Sequence, residues 1–362
     1  MTDPLDRSAL RARVQATVDA EITGQREVLA AVGPDLGILV DAVARLLTGG
    51  KRLRAAFLYW GYRAAGQPDS AALVRLATAM EFFQAAALLH DDVMDRSDTR
   101  RGMPSAHRAI AGHHAEAGWL GNSDRFGEAA AILAGDLCLQ WTDEIYSTSG
   151  LPAEHLARAR QTFDTMRTQL MGGQYLDVLE SARGWDGLDT PARITSARNV
   201  IRYKSAKYTI EHPLLIGAAA GGVPAMALGP LSRYGLALGE AFQLRDDLLG
   251  VFGDPAQTGK PAGDDLREGK RTVLIALALG VADDDQSALV DKLLGQPDLD
   301  AHGVEELRTM LRHTGAVDGV EEKIAARVGE ATTALDEVAA SLDPEAVAVL
   351  HSLIASSTAR ES

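Results

Sequence analysis

Two clusters of aspartates lie at the ends of apolar, helix-forming stretches. Asp91, Asp92 and Asp95 form the first cluster, and Asp246 and Asp247 form the second. On a helix, Asp91 and Asp95 would stand one above the other, and like charges at this spacing destabilise a helix. Mg²⁺ takes one or two carboxylates together with substrate phosphates. The first cluster alone fits a solvated acidic helix end equally well, but two such clusters predict a diphosphate held by several Mg²⁺ ions.

Basic residues are grouped at four places that could bind a second diphosphate without a metal. They lie at a helix start, behind the first acidic cluster, in a helical segment and around a glycine-rich segment: Lys51 and Arg54; Arg100 and Arg101; Lys204; Lys260 and Lys270. Arginine forks and lysine point charges suit phosphate oxygens. A P-loop is excluded at residues 253–261, because five residues separate the glycines and Pro261 replaces the required Ser or Thr.

Long amphipathic helices must carry these groups. Apolar residues recur at three- and four-residue steps over 70–95, 154–178 and 320–342, whereas sustained period-two alternation is absent. The pattern predicts an all-α fold. No long polar linker divides the chain, so we expect one domain over residues 1–362, with residues 1–35 as an added N-terminal helix.

Composition excludes several classes of protein. The 362 residues carry a net charge of −14, with 46% hydrophobic and 24% charged residues, as in a globular protein with a core. The negative charge argues against nucleic acid as a partner. Cys138 is the sole cysteine, which excludes an intrachain disulfide and a cysteine-based zinc site. A signal-peptide core and a run of 18 apolar residues are both absent, so we expect no integral membrane segment and a cytoplasmic location.

The motifs, taken in order, resemble those of the trans-isoprenyl diphosphate synthases, or polyprenyl synthetases, and most of all the geranylgeranyl diphosphate synthases. Five motifs cover residues 49–272: Gly-Gly-Lys-Arg-Leu-Arg at 49–54, Asp-Asp-Val-Met-Asp at 91–95 with Arg-Arg-Gly at 100–102, Lys-Ser at 204–205, Gln-Leu-Arg-Asp-Asp at 243–247, and Gly-Lys-Pro to Gly-Lys at 259–270. The resemblance implies long antiparallel helices around a deep cavity, a homodimer, and Mg²⁺-dependent condensation of isopentenyl diphosphate with an allylic diphosphate.

The resemblance also implies a role for each matching residue. It assigns the metal, three Mg²⁺ ions per site, to the five aspartates of the two clusters. The allylic diphosphate falls to Arg100, Lys204, Ser205, Gln243, Lys260 and Lys270, and isopentenyl diphosphate to Lys51, Arg54 and Arg101. The expected catalytic residues are Asp91, Asp92, Asp95, Arg100, Lys204, Asp246 and Asp247. No side-chain nucleophile is needed.

The sequence departs from the family pattern at two positions. Gln84 stands where the family usually has a histidine that binds isopentenyl diphosphate, and an amide donates a hydrogen bond without a charge. Gly250 stands where a third carboxylate of the second acidic motif is common.

Residues before Asp91 should set the product length. In the family, a bulky residue four or five positions earlier stops the chain at fifteen carbons, but here these positions are Ala87 and Ala86. Phe83 lies eight residues before Asp91, about 12 Å along a helix. An isoprene unit spans roughly 5 Å. A floor at Phe83 predicts geranylgeranyl diphosphate, with twenty carbons, although core packing is the other interpretation of this residue.

Two other functions fit parts of the sequence. A class I terpene cyclase shares the helical fold and an aspartate-rich motif, but needs no second diphosphate site and lines its cavity with aromatic residues, which make up only 5% here. A weakly active regulatory subunit of a heteromeric synthase usually lacks one acidic cluster, whereas this chain has both.

Overall fold

The structure is a computed structural model that describes residues 9–254, 263–296 and 298–358. Helices account for nearly all regular structure in these ranges, so the all-α prediction is confirmed. The chain forms two compact units. One comprises the chain up to Arg160 together with Pro213–Val223, and the other comprises Gln161–His212 and the chain from Pro224 onward. The single domain over 1–362 stays a prediction.

The first unit is built around one long helix. Its helices are α1 (Leu10–Ala30), α2 (Gly37–Leu47), α3 (Leu53–Arg63), α4 (Ala71–Met94), α5 (Ala106–Glu116) and α6 (Ser123–Ser147), with a 3₁₀ turn at Pro34–Leu36. Helix α7 (Ala153–Arg183) begins in this unit, and nearly all of α9 (His212–Gly221) belongs to it. The Ser70 side chain caps α4 by accepting a hydrogen bond from the Leu73 N–H at 3.1 Å. Every residue from Leu76 to Phe83 is buried, so α4 is the core helix of the unit.

Helix α4 is also long and apolar enough to cross a membrane, and it is the only helix of that kind within the described ranges. However, 72% of its most apolar window is buried inside the protein, as expected of a core helix. The cytoplasmic location stays a prediction.

The second unit contains the end of α7 and the elements that follow it. These are α8 (Thr190–Val200), a π-helix (Ile201–Glu211), α10 (Ala225–Phe252), α11 (Asp264–Arg267), α12 (Val273–Leu279), α13 (Asp284–Leu293), α14 (Ala301–His313), α15 (Ala316–Asp336) and α16 (Pro344–Thr358), with a 3₁₀ turn at Ala339–Ser341. Its core packs buried side chains of α10, such as Leu248, against Leu274, Leu307 and Val320.

The π-helix runs over eleven residues without a break between α8 and α9. Hydrogen bonds from i to i+5 widen its turn, and such segments are usually single turns at functional sites. Sequence periodicity predicts only an ordinary helix here, because a few residues of either helix type place apolar groups on similar faces.

A short β-hairpin follows the first acidic cluster. Thr99–Arg100 (β1) and Met103–Pro104 (β2) pair antiparallel, with Arg100 opposite Met103. The turn residues Arg101 and Gly102 both have positive φ, 54° and 73°. Positive φ at both central residues is typical of a type I′ hairpin turn. Sequence reasoning missed this hairpin because its strands are two residues long and its turn is Arg-Gly.

Candidate active site

The first acidic cluster lies at the C-terminal end of α4. Asp91 and Asp92 are in the last turn, and Asp95 caps the helix, its N–H donating to the Asp91 carbonyl at 2.8 Å. Asp92 is buried, whereas Asp91 and Asp95 are partly accessible. The negative end of the helix dipole adds to the repulsion among these carboxylates. A bound cation would relieve that repulsion.

Arg100 of the hairpin pairs with the buried member of the cluster. Its Nε donates to Asp92 Oδ1 at 2.9 Å, its Nη2 also binds Asp92, and Nη2 lies 3.6 Å from Asp91 Oδ2. Burial raises the pKa of Asp92, and the charge of Arg100 opposes that rise. The structure therefore brings together Asp91, Asp92 and Arg100.

The second hairpin arginine turns toward the loop before α3. Arg101 Nη1 donates to the Leu46 carbonyl at 3.1 Å, and its guanidinium lies against Gly50. Burial, then the charges of Arg52, Arg100 and Arg54, lower the pKa of Arg101. Lys51 belongs to the same loop. An anion bound here would reduce the repulsion among these crowded cations.

The loop is held in place by two residues that sequence reasoning missed, Gln15 and Glu81. Arg52, buried and at φ 55°, donates to Glu81 Oε2 of α4 at 3.0 Å and to Gln15 Oε1 of α1 at 2.6 Å. Gln15 also accepts the Gly49 N–H at 3.1 Å. Glu81 gives a signal in the sequence, since it is the one acidic residue between 71 and 90 and needs a partner when buried. Gln15 gives none.

The second acidic cluster lies on α10 and repeats the pattern of the first. Asp246 is partly accessible and Asp247 is buried. Gln243 Nε2 donates to Asp247 Oδ1 at 2.8 Å, and the Ser205 hydroxyl donates to Gln243 Oε1. Burial raises the pKa of Asp247 to about 8, and the hydrogen bond from Gln243 opposes the rise. The structure therefore joins Ser205, Gln243 and Asp247 in one hydrogen-bonded chain.

Lys204 lies on the π-helix and pairs with a residue of α7. Its Nζ lies 2.5 Å from Asp177 Oδ2. Asp177 was a missed contact, because helical spacing identifies neighbours on the same helix but not across two helices.

The departure at Gly250 has a structural explanation. A Cβ placed on Gly250 would lie 1.8 Å from Asp265 Oδ2, so the carboxylate of Asp265 occupies the space beside this glycine. Lys270 Nζ lies 3.2 Å from Asp265 Oδ1 and 2.5 Å from Glu268 Oε2. Lys260 lies outside the described residues.

The donor set fits magnesium rather than a metal held by protein alone. Each acidic pair offers an accessible first aspartate and a buried second one held by Arg100 or Gln243. Over the described part of the chain, no three Asp, Glu, His or Cys groups converge on a point where they could hold an ion. Mg²⁺ commonly uses one or two carboxylates and completes its shell with water and substrate phosphates.

Comparison with known families decides the class of this site. Residues 37–311 match the family Polyprenyl synthetase. The chain belongs to this family. It is therefore a trans-prenyltransferase of a magnesium-dependent family, and the resemblance noted from the motifs is confirmed.

Relatives of this polyprenyl synthetase make products of different lengths. A solved geranylgeranyl pyrophosphate synthase from Corynebacterium glutamicum, complexed with isoprenyl diphosphate and magnesium, is 38% identical with a TM-score of 0.91 over 97% of this chain and 99% of that one. The geranylfarnesyl diphosphate synthase of Aeropyrum pernix is 32% identical over 84% of this chain and 89% of its own length. The nonaprenyl diphosphate synthase of Mycobacterium tuberculosis is 30% identical over 88% and 84%.

The accessible face of α4 gives this polyprenyl synthetase a candidate cavity wall. Gln84, Ala87, Leu88 and Asp91 are all partly accessible and share one face at three- and four-residue spacing. Toward the start of the helix this accessibility ends at Phe83, which is 1% exposed. Ala86 is fully buried and lies off this face.

Proposed function

We propose that this polyprenyl synthetase makes geranylgeranyl diphosphate from isopentenyl diphosphate and allylic diphosphates. The accessible stripe on α4, from Asp91 to its closure at Phe83, carries the proposal for product length. Phe83 lies eight residues, about 12 Å, from Asp91. At roughly 5 Å per isoprene unit this length accommodates a farnesyl acceptor and blocks growth beyond about twenty carbons.

Each motif has a proposed part in the reaction. Asp91, Asp95 and Asp246 would hold three Mg²⁺ ions, supported by Asp92 and Asp247. Bound magnesium supplies positive charge that lets the diphosphate leave the allylic carbon. The residues proposed to bind this leaving group are Arg100, Lys204, Ser205, Gln243, Lys260 and Lys270.

Isopentenyl diphosphate is assigned to Lys51, Arg54 and Arg101, with Gln84 as a neutral donor. The crowding of guanidinium groups around Arg101 supports this assignment. The carbon–oxygen bond of the allylic diphosphate breaks, and the double bond of isopentenyl diphosphate attacks the allylic cation. A new carbon–carbon bond forms, and a proton leaves to the released diphosphate.

Purified protein with Mg²⁺ and isopentenyl diphosphate, tested separately with dimethylallyl, geranyl and farnesyl diphosphate, tests the proposal. We expect a linear twenty-carbon product from each starter by chromatography. A ladder of longer products would remove the floor at Phe83 but keep the reaction. No consumption of isopentenyl diphosphate would favour the cyclase or the regulatory subunit.

Adjacent phenylalanines offer a matched pair of variants for the floor. Phe82 is buried like Phe83, but its ring packs edge-on against Trp141 with centroids 6.2 Å apart. We expect Phe83→Ala to shift the product to twenty-five carbons and longer. Phe82→Ala removes the same volume and should leave the product at twenty carbons. Equal product lengths in both variants would contradict the proposal.

We also propose that the chain is one domain that works as a homodimer. Exposed apolar side chains on α6, namely Phe126, Ile132 and Leu133, support a protein–protein contact there. Light scattering after gel filtration should give twice the chain mass of 38.4 kDa. A mass of one chain at micromolar concentration would contradict the dimer.

A further inference from the structure

The π-helix that carries Lys204 and Ser205 is held by unusually close backbone contacts. A Cβ on Gly173 of α7 would lie 2.3 Å from the Tyr203 carbonyl carbon and 2.4 Å from the Lys204 nitrogen. A Cβ on Gly239 of α10 would lie 2.7 Å from Ala206 Cα. The atoms in the way are backbone atoms, so no side chain can rotate to make room. Only glycine permits these two approaches.

Two helical glycines that have no such neighbours provide a comparison. Gly172, directly before Gly173, is exposed, and an added Cβ there would meet nothing within 4 Å. Gly329 in α15 is likewise open. On α7, the close approach is therefore confined to the face that meets the π-helix. On α10, Gly235 lies one turn before Gly239 and is also close to the π-helix, with an added Cβ 2.7 Å from Glu211 Cα.

Each close glycine is followed, one helical turn later, by a partner of a proposed substrate-binding residue. On α7, Asp177 lies four residues after Gly173 and pairs with Lys204 at 2.5 Å. On α10, Gln243 lies four residues after Gly239, and its Oε1 accepts a hydrogen bond from the Ser205 hydroxyl. Each of the two helices thus contacts the π-helix twice. A glycine meets its backbone, and a polar residue one turn later binds Lys204 on α7 or Ser205 on α10.

We propose that Gly173 and Gly239 are positioning residues, which set the place of the π-helix so that Lys204 and Ser205 each reach their partners. The proposal rests on the proposed function, because it takes Lys204 as a ligand of the allylic diphosphate. An added methyl group at either glycine moves the π-helix away from that helix. Lys204 is then displaced from Asp177, or Ser205 from Gln243.

Gly173→Ala with Gly172→Ala as its control tests this role. We expect the KM for the allylic diphosphate to rise about tenfold in Gly173→Ala, with the KM for isopentenyl diphosphate within about twofold of the parent. Gly172→Ala should leave both unchanged. Gly239→Ala and Gly329→Ala form a second pair with the same expectation. Unchanged allylic KM in folded Gly173→Ala and Gly239→Ala would overturn the proposal.

A double variant separates this inference from the proposed function. If Gly173 acts through Lys204, adding Gly173→Ala to Lys204→Ala should not raise the allylic KM further. Additive effects would overturn the positioning role. An unchanged allylic KM in Lys204→Ala alone would instead remove the proposed role of Lys204.

Asp177→Asn covers the case in which Gly173→Ala does not fold, as judged by circular dichroism. This substitution preserves shape and removes the ion pair with Lys204. We expect a higher allylic KM with an unchanged KM for isopentenyl diphosphate. No change in either constant would overturn the proposal.

Discussion

In each acidic pair, the second aspartate is buried and the first is accessible. Arg100 holds Asp92, and Gln243 holds Asp247. Burial raises the pKa of both buried carboxylates, which means that their charged forms lack the solvation of water. A nearby cation favours the charged forms. Each pair therefore exposes one carboxylate and keeps a second one close behind it, where a bound cation would favour its charged form.

Substituting Gly250 tests the space taken by Asp265. We expect Gly250→Ala to lower the free energy of unfolding by about 1–3 kcal/mol, because the new methyl group overlaps the Asp265 carboxylate. Gly329→Ala, at an open site in α15, should instead be neutral or stabilising by up to about 1 kcal/mol. Urea denaturation of the two variants gives the comparison. Equal stabilities would mean that Asp265 moves aside without cost.

Residue types were easier to predict than their partners. The spacing of Asp91, Asp92 and Asp95 predicted a metal-binding pattern, because the three residues lie at the end of one helix. Contacts between elements, such as Asp177 with Lys204 and Asp265 with Gly250, depend on how helices pack and leave no fixed spacing in the sequence. For this reason the sequence showed that the third carboxylate of the motif is missing at Gly250, but not that the carboxylate of Asp265 lies beside this glycine.

The β1–β2 hairpin carries two adjacent arginines that bind different partners. Arg100 binds Asp92, and Arg101 binds the Leu46 carbonyl. Its turn requires positive φ at two successive residues, and Gly102 is the one that adopts it without strain.

Gly102→Ala is expected to reduce kcat/KM at least tenfold. The strain, about 1–2 kcal/mol for a side chain at positive φ, would distort the turn that orients both arginines. Gly118 has a similar φ of 65° and equally open surroundings, so Gly118→Ala has the same backbone cost without touching the hairpin. Steady-state kinetics of both variants provide the measurement. A similar loss in the two variants would assign the effect to stability alone.

Long helices were predicted well, and the irregular elements were not. The apolar periodicity over 70–95 corresponds to α4, and that over 154–178 lies inside α7. The π-helix and the hairpin were missed, because a π-helix resembles an ordinary helix in its apolar pattern and the strands of the hairpin are only two residues long. Gly173 and Gly239 permit the close packing of the π-helix, but the sequence does not show which backbone approaches a helical glycine.

Acid should destabilise the whole molecule through one buried histidine. Burial lowers the pKa of His212 to about 4 from an ordinary value of 6.5; Glu211 opposes this shift and Lys207 adds to it. Between these pH values a proton binds the unfolded chain but not the folded one. The free energy of unfolding should therefore fall as pH drops from about 6.5 to 4, by up to about 1.4 kcal/mol per pH unit.

Urea denaturation at pH 7 and pH 5 measures this dependence. We expect His212→Asn to remove most of the difference contributed by this residue. His302→Asn, whose parent side chain is 83% exposed, should retain the full dependence. The same pH dependence in His212→Asn as in the parent would assign acid sensitivity to other groups.

At the scale of the whole chain, family and fold class followed from ordered motifs over more than two hundred residues. The division into two compact units did not. Its boundaries fall after Arg160, inside α7, and after His212, inside α9. Helix interiors show no change of composition, so there is no linker to detect.

Helix α4 carries both Asp91 and Phe83 on one continuous helix. A bulky side chain on the same face can be moved only in steps of about one helical turn, 5.4 Å, which nearly equals one isoprene unit. Each condensation adds five carbons, so one helical turn along α4 corresponds to about one condensation. If α4 forms the wall of the cavity as proposed, moving a bulky side chain by one turn along this face should shift the product by one isoprene unit.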